Sequence, residues 1–256
     1  MTAGPLDAAR LFSLAGRTAL VTGSSRGIGA SIARCYSENG ARVVVHGTRP
    51  HSADAMRDTI GPGAVALDGD LAERGAGRRL LDAAEAAAGP VDILVINASA
   101  QVNGAFEDVS DDAFDLQMHV NVRSTFELLQ TVLPRMAARG WGRVVNVGSI
   151  NQQQPKPIVS IYAATKAATH NLVQSLAREY AAKGVLLNTL APGLVDTDRN
   201  ADRRNADPAA WDGYVATLNH MGRAAHADEM AGAALYLASD ACSFMTGETI
   251  FVTGGY

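Results

Sequence analysis

What constrains this chain most is an alternation that begins near Thr18 and runs to the C-terminus, in which short runs of valine, isoleucine and leucine take turns with longer alanine-rich segments. Such alternation marks a βαβα architecture. The runs Thr18–Val21, Arg42–Val45, Ala64–Leu67, Ile93–Ile96, Val144–Val147, Val185–Leu190 and Thr249–Val252 read as strands. They are continuously apolar, which is the pattern of strands covered on both faces. The expected fold is therefore α/β: a doubly wound, mostly parallel, seven-stranded sheet in a three-layer α/β/α sandwich. Helices are expected over Gly27–Asn39, Ala53–Ile60, Ala72–Ala88, Asp111–Arg139, Ile158–Ala182 and Ala227–Ala238. Breakers fall where these segments end, at Gly40, Gly61-Pro62-Gly63, Gly89-Pro90 and Gly184.

With 256 residues and 47% hydrophobic content, the chain can bury one sizeable core, and no linker-like stretch or repeat divides it. A single domain over 1–256 is expected, with a flexible N-terminal segment over 1–15 and a polar substrate loop over 192–222 that interrupts the alternation just after a strand. The 22 basic and 26 acidic side chains form no cationic block, which excludes nucleic acid and anionic membrane surfaces as partners and leaves a small-molecule substrate. No run approaches the roughly 18 apolar residues of a membrane span, and the first ten residues lack a signal core, so a cytoplasmic location is expected. Cys35 and Cys242 make no disulfide framework, and the histidines at 46, 51, 119, 170, 220 and 226 show no metal-ligand spacing, so no metal is assigned.

The first strand runs straight into Thr22-Gly23-Ser24-Ser25-Arg26-Gly27-Ile28-Gly29, and a helix follows. Glycines there let backbone approach a pyrophosphate, and the amides opening the next helix face the anion. This turn, together with Asn97-Ala98, Asn121, Ser149, Tyr162-x-x-x-Lys166 and Pro192-Gly193 with Thr197, resembles the short-chain dehydrogenase/reductase family, in the family's order and over nearly the whole chain. The resemblance implies a Rossmann-type fold and carbonyl–alcohol oxidoreduction with a nicotinamide cofactor. Two departures stand out: the family's Asn-Asn-Ala-Gly reads Ile96-Asn97-Ala98-Ser99, so Ser99 adds a side chain, and its Asp-Gly-Gly reads Thr253-Gly254-Gly255.

A carboxylate at the end of the second strand chelates a free ribose diol and repels a 2′-phosphate. This chain has His46-Gly47-Thr48-Arg49 instead, and Arg26 and Arg49 carry guanidinium groups suited to a phosphate. NADP(H) is therefore expected over NAD(H). The candidate cofactor contacts are Thr22, Gly23, Ser25, Arg26, Gly27, Ile28, Gly29, His46, Thr48 and Arg49. To these the resemblance adds Asp70 and Leu71 beside the adenine, Asn97 and Ala98, Pro192, Gly193 and Thr197.

Tyr162 and Lys166 lie four apart in a helical segment and share a face. A free phenol titrates near pH 10, so as a proton donor and acceptor it needs positive charge close by, which Lys166 supplies. Both also count as cofactor contacts. Ser149 should emerge at the carboxyl edge of the sheet, where its hydroxyl can donate to a developing alkoxide; its surroundings are not a nucleophile elbow. The resemblance gives Asn121 a water leading to Lys166. Catalytic candidates are thus Asn121, Ser149, Tyr162 and Lys166.

The stretch between Ser149 and Tyr162 lines the substrate pocket in the family, and here it opens with Asn151-Gln152-Gln153-Gln154. Amides suit a sugar, sugar acid or polyol, so Ser149, Asn151, Gln152 and Tyr162 are the candidate substrate contacts. Arg199, Arg203 and Arg204 leave a 3-oxoacyl-carrier reductase open. An NADPH-binding sensor or structural partner without turnover is the alternative of another class. The resemblance implies a homotetramer built on the helices that begin near Asp111 and Ile158.

Overall fold

The structure, a computed structural model, describes residues 7–256. Its elements are α1 (Ala8–Phe12), β1 (Thr18–Val21), α2 (Gly27–Glu38), β2 (Arg42–Gly47), α3 (Asp54–Ile60), β3 (Val65–Asp68), α4 (Ala76–Ala88), β4 (Ile93–Ile96), α5 (Asp111–Gln117), α6 (Ser124–Arg139), β5 (Gly142–Val147), α7 (Ser160–Tyr180), β6 (Val185–Pro192), β7 (Val195–Asp196), α8 (Ala201–Ala206), α9 (Pro208–Ala216), β8 (Ala225–His226), α10 (Ala231–Ala238) and β9 (Thr249–Val252). The main sheet has seven strands in the order β3-β2-β1-β4-β5-β6-β9, and every pair in it is parallel.

The unbroken apolar runs have a direct cause. Side chains of a strand alternate between faces, and here each face is covered. Ala19 and Val21 of β1 pack with Ile32 and Tyr36 of α2 and Leu237 of α10. Leu20 between them packs on the other face with Leu81 of α4, Leu129 of α6 and Val173 of α7. Each fully buried leucine of this kind contributes about 2 kcal/mol. The chain winds from β1 out to β3, then jumps back past β1 to β4. That reversal opens a crevice at the carboxyl ends of β1 and β4, where open α/β sheets bind ligands.

Three expectations change. Of the flexible segment expected over 1–15, residues 1–6 lie outside the described residues. From Asp7 the chain is fastened instead: the Asp7 carboxylate caps α1 by accepting from Ala9 N, and Leu14 is buried in the core. The helix expected over Asp111–Arg139 is broken by a π-helical segment, Met118–Arg123. Asn121 sits in that segment and binds the Ala100 backbone, which a regular helix would not present. The loop expected over 192–222 contains α8 and α9, with Asp207 capping α9 ahead of Pro208. α8 is short and polar, and α9 buries only Trp211 and Val215, so neither carries an apolar repeat long enough for periodicity to mark it.

Candidate active site

The carboxyl ends of β1, β4, β5 and β6 open onto a cavity of about 620 Å³. One wall is the glycine-rich turn. Thr22 Oγ1 donates to Val95 O at 3.1 Å and accepts from Asn97 N at 2.9 Å and Ala98 N at 3.1 Å, tying the exits of β1 and β4 together. Asn97 Nδ2 donates back to Thr22 O and Gly23 O, each at 2.9 Å. Gly29 packs under this knot so closely that a Cβ would lie 2.5 Å from Asn97 Nδ2, and Gly23 takes φ +61, a conformation that favours glycine. Arg26 opens α2 without a side-chain cap, so amides of the first turn are left for a ligand. A cradle with glycines at 23, 27 and 29, facing a cleft of this volume, fits a dinucleotide pyrophosphate.

Gly23, Ser25, Arg26, Gly27 and Ile28 line the cavity. So do Thr48, Asp70, Leu71, Asn97 and Ala98. Thr22 and Gly29 stand just behind it. His46 and Arg49, both expected as direct contacts, are placed elsewhere. His46 is buried behind the turn, where Nδ1 accepts from Gly23 N at 3.1 Å and Nε2 meets Gly69 O at 2.9 Å. Those partners require the neutral ring, and burial lowers its pKa accordingly. Arg49 is exposed and does not line the cavity; its backbone N–H is held by Ser52 Oγ.

The opposite wall brings together Ser149 at the exit of β5, Tyr162 and Lys166 on α7, Pro192 at the end of β6, and Gly193 and Thr197 beyond it. Lys166 is buried, donates to Val147 O at 2.7 Å and lies 5.7 Å from the centre of the Tyr162 ring. Burial, with the charge of Arg199 adding to it, pushes the Lys166 ammonium down to about 7. Among the described residues the Tyr162 hydroxyl bonds to no other group of the protein, and it faces the cavity.

Asn151 and Gln152, expected on the substrate side, are placed behind Ser149 instead. Ser149 Oγ accepts from both the backbone N and the Nδ2 of Asn151, at 3.2 Å each, and Gln152 Oε1 accepts from Ser149 N at 3.3 Å. The amides curl back because Ser149 caps the short 3-10 turn Ile150–Gln152. With its lone pairs engaged, the serine hydroxyl is left to act as a donor. Asn121 also lies off the cavity wall. Its side chain spans Ala100 N, Ala100 O and Thr165 Oγ1 at 2.8–2.9 Å, and its carbonyl accepts from Thr125 Oγ1. It therefore braces the π-helical segment against α7 one residue from Lys166.

Several residues on the wall were not among the expected site contacts, although Arg199 belongs to the arginine run that leaves a carrier reductase open. Asp198 holds Arg26 at 3.2 Å across the cleft. Arg199 donates to Ser99 Oγ at 2.8 Å, Ser99 O at 3.0 Å and Gln101 Oε1 at 3.4 Å, with its guanidinium 5.9 Å from the Tyr162 ring centre. Leu116 and Val120 supply an apolar side. The sequence signals for this group are the arginine run that holds Arg199 and Ser99 itself, a side chain where the resemblance expects glycine.

The family model of short chain dehydrogenases matches residues 17–208. A gluconate 5-dehydrogenase of Gluconobacter oxydans is 36% identical over 248 residues, covering 96% of each chain. Among solved structures, a 3-oxoacyl (acyl-carrier-protein) reductase from Agrobacterium tumefaciens with NADP bound superposes with a TM-score of 0.95 at 60% identity, covering 98% of both chains. A gluconate 5-dehydrogenase from Burkholderia cenocepacia in complex with NADP and tartrate gives 0.90 at 36% identity, covering 97% of this chain and 98% of its own.

Proposed function

This chain belongs to the short-chain dehydrogenase family, and from that premise we propose that Ser149, Tyr162 and Lys166 carry an NADP(H)-dependent interconversion of a carbonyl and a secondary alcohol. The protein is an oxidoreductase. One observation carries the residue assignment: a phenol, an ammonium and a serine hydroxyl from α7 and β5 line the wall opposite the glycine cradle.

Bound in that cradle, the dinucleotide supplies or accepts the hydride. Arg26, Thr48 and the amides of α2 would hold its phosphates, and Asp70 and Leu71 its adenine end. No carboxylate stands at the end of β2, and two of the solved neighbours above carry NADP, which supports NADP(H) over NAD(H). Ser149 donates to the substrate oxygen and orients it. The Tyr162 hydroxyl gives that oxygen its proton in reduction and takes it back in oxidation. Lys166 stabilises the phenolate left behind and would hold the cofactor ribose. Asn121 keeps α7 in register rather than touching the reactants.

The amide-held serine, Gln101 and Arg199 favour a polar substrate such as a sugar, sugar acid or polyol, and the relatives named for gluconate support that class. A second reading, a 3-oxoacyl-carrier reductase, is favoured by the neighbour of 60% identity. Purified protein supplied with NADPH or NADH and a panel of ketoses, keto acids, diketones and 3-oxoacyl thioesters tests both, followed at the nicotinamide absorbance. Faster consumption of NADPH with a polar keto compound is expected. Consumption with the thioester alone selects the second reading, and binding of NADPH without consumption selects a sensor.

Phe114 on α5 and Phe126 on α6 face solvent in the single chain, which supports the pairing of these helices between subunits in a homotetramer. Light scattering at four times the chain mass is expected; a monomeric mass contradicts it.

A further inference from the structure

The polar segment after β6 brings three arginines near the cleft, and two of them are occupied. Arg204 is paired with Asp196. Arg203 lies over the Tyr214 ring at 3.8 Å and near Trp211 at 5.8 Å. Arg199 alone lines the cavity.

Its partners there are all neutral: the hydroxyl and carbonyl of Ser99 and the amide oxygen of Gln101. No carboxylate lies within ion-pair distance of it among the described residues. The acids on the cavity wall are engaged elsewhere, Asp198 with Arg26 and Asp70 with Ala72 N. The end of the cleft that carries the Tyr162 hydroxyl is therefore faced by two cations, Arg199 and Lys166, with no acid opposing them. Each feels the other, since Arg199 is the second cause of the lowered Lys166 pKa. An anion bound between them relieves both.

We propose that Arg199 is a specificity residue that receives a carboxylate of the substrate, so that the enzyme acts on hydroxy and keto acids in preference to neutral ketoses and polyols. The inference rests on the oxidoreductase reading above and narrows its substrate class. A guanidinium presents parallel donors that match a carboxylate, and its place against the Tyr162 ring puts that carboxylate a short carbon chain from the reacting carbon. Ser99 is what holds it there. A glycine at that position keeps the carbonyl acceptor and loses the hydroxyl at 2.8 Å, leaving the long side chain freer.

The test needs no turnover. Protein saturated with NADPH is titrated by calorimetry with D-gluconate and with D-glucitol, the same carbon chain bearing a hydroxymethyl group in place of the carboxylate. The wild type is expected to bind gluconate at least tenfold more tightly. Arg199→Met should erase the preference, Arg199→Lys should keep part of it, and Ser99→Gly should reduce it several-fold. Arg199 is exposed, so matched melting curves will show that the variants are folded. Equal affinities in the wild type, absence of gluconate binding, or a preference that survives Arg199→Met each overturn the proposal. So does an Arg199→Met protein whose affinity for NADPH falls by the same factor, because the guanidinium would then serve the cofactor. Failure of the oxidoreductase reading would appear separately, as absence of NADPH consumption in the substrate panel.

Discussion

Tyr162→Phe is expected to lower turnover about 10³-fold, within the range for losing a positioned general acid, while the affinity for NADPH weakens by no more than about tenfold. The asymmetry follows from where the phenol sits. Its ring is part of the packed wall, with 6% of the residue exposed, so phenylalanine fills the same space. Its hydroxyl bonds to nothing else in the described protein, so its removal orphans no internal donor or acceptor. What disappears is the proton for the substrate oxygen. Steady-state kinetics and a fluorescence titration with NADPH measure the two quantities on one preparation. Turnover within a few-fold of wild type would remove the phenol from the mechanism.

Lys166→Met should act in opposite directions on activity and stability. Turnover should fall by about 10³-fold or more, since the charge beside the phenol and a hold on the ribose are both lost. The cofactor-free protein, however, should become more stable. Lys166 titrates near 7 in the folded chain, whereas an unfolded lysine titrates near 10.4. Below about 7 both states are protonated, and the folded state bears the full cost of a buried charge. Between there and about 10.4 the unfolded chain holds a proton that the folded one releases, so stability rises with pH across that window. Methionine removes this dependence. After allowing for the lost bond to Val147 O, a gain of about 1–3 kcal/mol is expected at neutral pH, or a few to several degrees in Tm. Melting curves from pH 6 to 10 should show the wild type approaching the variant as pH rises. A variant less stable than wild type at pH 7 would mean that the ammonium is structurally satisfied.

The strands were legible because burial on both faces writes itself as an unbroken apolar run, as the alternation of Ala19, Leu20 and Val21 between two cores illustrates. Tyr162 and Lys166 were legible for a related reason: spacing by four on a helix fixes a shared face whatever surrounds it. Loops carry no such rule. Asn151 and Gln152 have the chemistry of substrate contacts, yet a local cap turns them back onto Ser149. His46 sits at the strand end where a cofactor reader belongs, but its ring finds partners in Gly23 and Gly69 and stays buried. Arg199 was one of three similar arginines in a polar run. Which of them reaches the cleft depends on a turn at Asp198–Asn200 and on a serine about a hundred residues earlier in the chain. The π-helical segment was hidden because its sequence, MHVNVR, is compatible with an ordinary helix; the bond from Asn121 to Ala100 is a tertiary fact.

The central claim is that hydride reaches a substrate carbonyl while Tyr162 protonates its oxygen. The most direct measurement follows deuterium from the transferable C4 position of NADPH into the product of 5-keto-D-gluconate or an acetoacetyl thioester, using wild type and Tyr162→Phe in parallel and mass spectrometry of the alcohol. The account predicts one deuterium on the carbinol carbon, formed about 10³-fold more slowly by the variant. Unlabelled alcohol, or labelled alcohol formed equally fast without the phenol, would contradict it.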